Sequence, residues 1–225
     1  MSLFRLDASI RGDQSVSRAV ADTAEAAWIR THPSGVVTRR DLVASPVPAD
    51  AWSSAVMGSF TPEDQRTEDQ RRIVALAAQY VDELFAAEAY LFAVPLYNYG
   101  VSQHVKTWID LILTDSRLAP GQEPLLAGRP GALVVTRGGG YGPGTPRAGW
   151  DHATPYYRRF FGDMLGLELH VSEVELTLAE STPAMEPLRD LARQSLDAGH
   201  ASADAHGELL AKHVLTTGAG ALTRG

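Results

Sequence analysis

The sequence predicts a doubly wound α/β domain, five parallel strands with helices on both faces of the sheet. Short apolar runs alternate five times with longer segments of helical periodicity, which is the pattern of a parallel sheet built from strand–helix units. The run Ala89 to Val94 is apolar at nearly every position, as expected of a strand covered on both faces. At 225 residues and 44% hydrophobic, the chain suffices for one large core.

The elements follow in order. Ser2 to Ala8 reads as a first strand, followed by a polar turn and a helix from Ser17 to Thr31. Gly35 to Leu42 is a second strand. Ala44 to Gln65, rich in Pro, Ser and Asp, reads as an irregular excursion. From Thr67 to Ala87 the residues Ile73, Leu76, Ala77, Tyr80, Val81 and Leu84 recur at three- and four-residue spacing, so a helix is expected. The third strand ends at Pro95. Gln103 to Thr114 is a helix with Val105, Trp108, Ile109, Ile112 and Leu113 on one face. Gly131 to Thr136 is a fourth strand, stopped by Gly138, Gly139 and Gly140. A helix over Thr154–Leu165, a fifth strand over Glu168–Leu178 and a mostly helical stretch from Met185 to His213 complete the chain. The domain is expected over residues 1–213, with a frayed tail over 214–225 that includes Thr216, Gly218, Gly220 and Gly225.

Composition excludes several functions. A net charge of -7 argues against broad contact with nucleic acid, which relies on Lys and Arg at phosphates, but leaves room for a local anion site. The absence of cysteine removes disulfides, thiolate catalysis and Cys-based zinc or iron–sulfur sites. Met1 to Gly12 carries Arg5, Asp7 and Arg11 and gives no apolar signal segment, and no apolar run is long enough to span a membrane. A cytoplasmic protein is expected.

In a doubly wound sheet, ligands bind beyond the carboxyl ends of the strands, near the point where strand order reverses. Three loops therefore matter. The first, Ala8 to Ser17, leaves a strand and enters a helix with hydroxyls at Ser9, Ser15 and Ser17. A helix N-terminus offers unpaired N–H groups and a positive dipole end to a phosphate; Arg11 or Arg18 could assist, and Ser15 or Ser17 serves equally as a helix cap. The second, Pro95-Leu96-Tyr97-Asn98-Tyr99-Gly100, offers two aromatics and an Asn to a flat heterocycle, or two tyrosines that close the core. The third, Thr136 to Gly142, has glycines that admit a ligand close to backbone amides or simply make a turn. The Walker, Gly-x-Gly-x-x-Gly, Gly-x-Ser-x-Gly and His-Glu-x-x-His patterns are all missing. His200 and His206 fit exposed helix positions better than a metal pair, and His104 and His152 stand beside candidate loops.

At these loops the chain resembles the FMN-dependent NADH azoreductases, also described as NADH:quinone oxidoreductases, of the flavodoxin-like superfamily. Ser9 with Ser15-Val16-Ser17 resembles that family's phosphate loop. Pro95-Leu96-Tyr97-Asn98-Tyr99 resembles its segment along the isoalloxazine, and Thr136-Arg137-Gly138-Gly139 its segment near the pyrimidine end. Arg40-Asp41-Leu42 and Thr154-Pro155-Tyr156 extend the likeness across residues 3–180. The resemblance implies one noncovalent FMN per chain, NADH or NADPH as hydride donor, a quinone or azo acceptor, ping-pong turnover and a homodimer with the active site at the interface. No side chain is required as acid or base, and no metal is expected. The apolar face around Trp108 and Ile112 is a possible dimer contact or ordinary core. Two departures bear on substrate range: Thr114 to Gly128 lacks the family's aromatics, and Asp163 or Met164 stands where a late Phe is common, with Phe160 and Phe161 as potential substitutes. The alternatives are a flavodoxin-like electron carrier or FMN sensor without nicotinamide turnover, and a binding module for another phosphate ligand.

Overall fold

The computed structural model describes residues 1–118 and 124–222, with side chains to His213. Six strands occur among the described residues: β1 (Ser2–Asp7), β2 (Val36–Asp41), β3 (Ala89–Tyr97), β4 (Gly100–Val101), β5 (Pro130–Thr136) and β6 (Glu168–Val174). Five of them form a parallel sheet in the order β2-β1-β3-β5-β6, the flavodoxin-type order, with the switch point between β1 and β3. The sixth, β4, was not expected from the sequence. It folds back antiparallel on β3 through Asn98 and Tyr99, both at positive φ (49° and 67°).

The third strand runs past Pro95 instead of ending there. The Ala93 carbonyl accepts the Ala8 N–H, so Pro95, two residues on, turns its nitrogen to the same side. The β1 ladder has already ended at Asp7, so no hydrogen bond is lost to the missing N–H.

Alternate residues of the strands feed two cores. Leu3, Leu91, Ala93, Ala132 and Val134 face the helices α1 (Val16–Thr31) and α6 (Arg189–Leu222), where small residues bring the two helix backbones together. At Gly207 a Cβ would stand 2.1 Å from the Ala24 carbonyl oxygen. Phe4, Leu6, Tyr90, Phe92, Val94, Leu133 and Val135 face the other layer. That layer contains α2 (Ala51–Phe60), α3 (Glu68–Ala86), α4 (Gln103–Ile112) and α5 (Thr154–Tyr157), which continues as a π-helix over Arg158–Met164.

Several expectations are corrected. The excursion over 44–65 contains helix α2, bracketed by Pro48 and Pro62. The α4 face is core, since Val105, Trp108, Ile109 and Ile112 are fully buried and Trp108 stacks on Phe4. Phe160 and Phe161 are core as well; the Phe161 ring lies 3.8 Å from that of Phe92, so neither substitutes for a site aromatic. The last strand stops at Val174, after which Leu176 adopts a φ of 61° and turns the chain back across the sheet end. Of the segment lacking aromatics, residues 119–123 lie outside the described residues, as do the side chains of the expected tail over 214–225.

Candidate functional site

The carboxyl ends of β1, β3 and β5 bring the three loops to one cleft. Its wall is formed by Ser9, Arg11, Ser15 and Val16 from the first loop, Pro95, Leu96 and Tyr97 from the second, and Thr136 and Gly138 from the third. Thr177 and Leu178 close it from the segment after β6. The cleft encloses about 120 Å³ and is open to solvent beyond that.

Helix α1 starts in this cleft. Ser15 is its N-cap: the hydroxyl accepts from the Arg18 N–H at 3.2 Å. Ser17 lies in the first turn, 1% exposed, with its hydroxyl 3.1 Å from that of Ser15. Two hydroxyls carry two protons; one bridges the pair and the other is left to donate outward. The Val16 and Ser17 amides have no hydrogen-bond partner among the described residues. No acidic residue occupies the first turn, so the positive end of the helix dipole is not neutralised there.

Charged side chains brace this loop from below. Arg18 reaches the Ser9 carbonyl at 3.3 Å and pairs with Asp41 at 2.7 Å. Asp41 feels burial, but the Arg18 bond and the Ala44 and Val43 amides hold its pKa below the usual carboxylate value. Beneath it, buried Arg5 bonds Asp7, Asp22 and Glu25. Burial raises the Asp7 pKa despite the Arg5 contact.

The second loop is tied to the first through Tyr97. Its hydroxyl accepts the Ile10 N–H at 3.2 Å and lies 3.3 Å from the Ser9 hydroxyl, so this side chain spans the mouth of the phosphate-type loop. Asn98 and Tyr99 are exposed on the β3–β4 turn.

In the third loop the glycines also leave room for neighbouring side chains. A Cβ on Gly138 would stand 2.7 Å from Leu178 Cδ1, and one on Gly139 would stand 2.7 Å from an Arg147 guanidinium nitrogen. The missing side chains therefore make room for two neighbours that overhang the loop. The Gly138 and Gly139 carbonyls accept from Leu178 and Leu176, which ties the loop to the turn after β6. Arg137 is buried, and its guanidinium bonds Asp151, Glu173, Glu175 and Thr154. Burial opposes its charge, yet Glu173, Asp151 and Glu175 raise its pKa on balance. Its side chain thus clamps loop to sheet and is not part of the cleft wall.

Of the thirteen residues singled out in the three loops, Ser9, Ser15, Val16, Pro95, Leu96, Tyr97, Thr136 and Gly138 line the cleft. Ser17 joins them through its hydroxyl contact with Ser15, Asn98 and Tyr99 form the adjoining β3–β4 turn, Gly139 follows Gly138 in the chain, and the Arg137 side chain points elsewhere. The sequence reading passed over Thr177 and Leu178, assigned to a strand, and gave Arg147 no role. His152 donates its backbone N–H to the Tyr99 carbonyl at 2.9 Å. His200 and His206 are half-buried, not exposed; they bond Thr23 and Ser172 respectively, and His206 stacks on His170.

Comparison with known proteins agrees with this fold. A family described by its flavodoxin-like fold matches residues 1–198. The chain is 36% identical over 203 residues to an FMN-dependent NADH:quinone oxidoreductase of Parafrankia sp. (strain EAN1pec), covering 89% of this chain and 96% of the relative. It is 37% identical over 196 residues to a protein of the same name from Frankia casuarinae, covering 86% and 92%. Among solved structures it superimposes on an azoreductase from Bacillus anthracis str. Sterne with a TM-score of 0.75 at 22% identity, covering 92% of this chain and 99% of that one. An FMN-dependent NADH-azoreductase from Bacillus anthracis str. Ames Ancestor in complex with FMN gives a TM-score of 0.72 at 17% identity, covering 93% and 98%. At these identities the structures speak for the fold. No helix among the described residues is long and apolar enough to cross a membrane.

Proposed function

Since the chain belongs to the FMN-dependent NADH:quinone oxidoreductases of flavodoxin-like fold, we propose that it binds one FMN noncovalently in the cleft and reduces quinones or azo compounds with NADH or NADPH. The observation that carries this reading is the first turn of α1: two unpartnered amides, at Val16 and Ser17, beside the paired hydroxyls of Ser15 and Ser17. That donor set has the chemistry of a phosphate cradle and fits the phosphate of FMN.

Bound FMN would supply the redox chemistry, hydride transfer from the nicotinamide and electron transfer to the acceptor in separate, ping-pong half-reactions. The protein's own residues bind, orient and shield. Val16, Ser15 and Ser17 would hold the phosphate, with Ser9 and the Tyr97 hydroxyl closing over it. Pro95, Leu96, Tyr97, Asn98 and Tyr99 would flank the ring, and the backbone of Thr136, Arg137, Gly138 and Gly139 would face its polar edge. Donors fixed there favour the negative charge that reduction brings. No side chain in the cleft needs to act as an acid or base.

The same reading includes a homodimer with the active site at its interface. With the α4 face buried, the exposed Trp52, Met57 and Phe60 of α2, beside Leu113 and Thr114, offer it one apolar surface. An electron carrier without nicotinamide turnover is the competing reading. Anaerobic NADH added to the flavin-loaded protein separates them: bleaching within seconds supports the enzyme, and an unchanged flavin spectrum supports the carrier.

A further inference from the structure

Arg147, packed against the third loop at Gly139 and over Tyr99 of the β3–β4 turn, has no role in the reading above. It lies across the Gly139 α-carbon, with its guanidinium carbon 5.9 Å from the centroid of the Tyr99 ring. Its guanidinium lies near the Tyr141 side chain. No carboxylate of the described residues pairs with it, because the nearby Asp151, Glu173 and Glu175 all turn to Arg137. Trp150 meets Tyr99 edge-on at 5.4 Å, and Tyr141 does so at 6.3 Å. Tyr99 is 38% exposed and Trp150 51%, so both present ring surface to solvent beside the guanidinium.

The backbone supports this arrangement at a cost. Tyr99 has a φ of 67°, a left-handed conformation that a large side chain holds only when its surroundings impose it. The His152 N–H to the Tyr99 carbonyl supplies that restraint and joins the β3–β4 turn to the loop carrying Arg147 and Trp150. Aromatic surface gives a flat molecule area to stack on, and an unpaired guanidinium gives an anion a forked donor. The chain carries a net charge of -7, so a local cation is needed to draw an anionic substrate to this edge.

Resting on the quinone-reductase reading, we propose that Tyr99, Arg147 and Trp150 form the docking site of the electron acceptor, and that Arg147 selects flat aromatic acceptors bearing a carboxylate or sulfonate. The test compares a naphthoquinone sulfonate with its uncharged parent, in the wild type, Arg147→Gln and Arg147→Lys. Binding to the oxidised holoprotein is followed by quenching of tryptophan fluorescence, and turnover by NADH oxidation. Arg147→Gln is expected to raise Kd and KM for the sulfonate about fivefold, the upper range for a solvent-exposed ion pair, and to leave the uncharged quinone unchanged. Arg147→Lys should recover part of the loss, and added salt should weaken only the sulfonate in the wild type. Equal shifts for both quinones, no shift for either, or a rise confined to the KM for NADH would overturn the proposal. A wild type that turns over neither quinone would fail the oxidoreductase reading instead, and the ratio of the two Kd values would still judge the docking site.

Discussion

Removing the Ser17 hydroxyl should separate phosphate binding from helix capping. Ser15 carries the cap, accepting the Arg18 N–H at 3.2 Å, whereas Ser17 bonds only the Ser15 hydroxyl at 3.1 Å. Ser15→Ala therefore removes a cap, costing the apoprotein roughly 0.5–2 kcal/mol, and also strips the Ser17 hydroxyl of its partner. Ser17→Ala removes one neutral hydrogen bond and leaves the cap in place, costing about 0.5–1.5 kcal/mol at most. Toward FMN the order reverses in importance. A hydrogen bond to a charged phosphate contributes about 1.5–3 kcal/mol, so Ser17→Ala should weaken FMN roughly 10- to 150-fold. Riboflavin, which lacks the phosphate, should bind the variant as it binds the wild type. Fluorescence titration of apoprotein with each flavin, alongside urea unfolding, provides both numbers. Equal weakening of FMN and riboflavin would refute the assignment and leave the serines as a structural cap.

Four further outcomes are expected. With NADH and a soluble quinone, double-reciprocal plots at several fixed quinone concentrations should be parallel; intersecting lines would exclude ping-pong turnover. Sedimentation at micromolar concentration should give a dimer, and Phe60→Asp, placed where Phe60 is 81% exposed, should shift it to monomer; an unchanged dimer would move the interface away from α2. Gly207→Ala should destabilise the fold by about 1–3 kcal/mol, because a Cβ there meets the Ala24 carbonyl at 2.1 Å and α1 and α6 must part; an unchanged denaturation midpoint would contradict that packing. His206 has its pKa lowered by burial and by His170, so the folded state resists its protonation. Its contribution is intact above the unfolded value of about 6.5 and is lost as pH falls through the lower folded value. His206→Gln should flatten that acid limb of the stability curve, and an unaltered limb would assign it to other groups.

The sheet was legible because strands covered on both faces read as apolar runs, and Ala89–Val94 could hardly be anything else. The cleft was legible for the same reason: once strand ends are placed, the loops that share an edge follow. Helix α2 was missed because Ser53, Ser54, Gly58 and Ser59 dilute its pattern and prolines bracket it. The ion pairs of the Arg137 side chain were not legible because its partners Asp151, Glu173 and Glu175 lie 14 to 38 residues away, beyond any local pattern. The α4 face illustrates a deeper limit. An amphipathic helix must bury its apolar side, but periodicity alone does not say whether its own sheet or a second subunit covers it. The glycines of the third loop show the same limit: their presence marked close approach, and only the fold identified Leu178 and Arg147 as what approaches.

The central claim, a flavin held by its phosphate at the start of α1, is tested most directly by the cofactor itself. Protein purified without added flavin is denatured by heat, and the released yellow species is identified and quantified by chromatography. FMN at one per chain is the result expected. A colourless protein whose apo form also fails to bind added FMN would contradict the account.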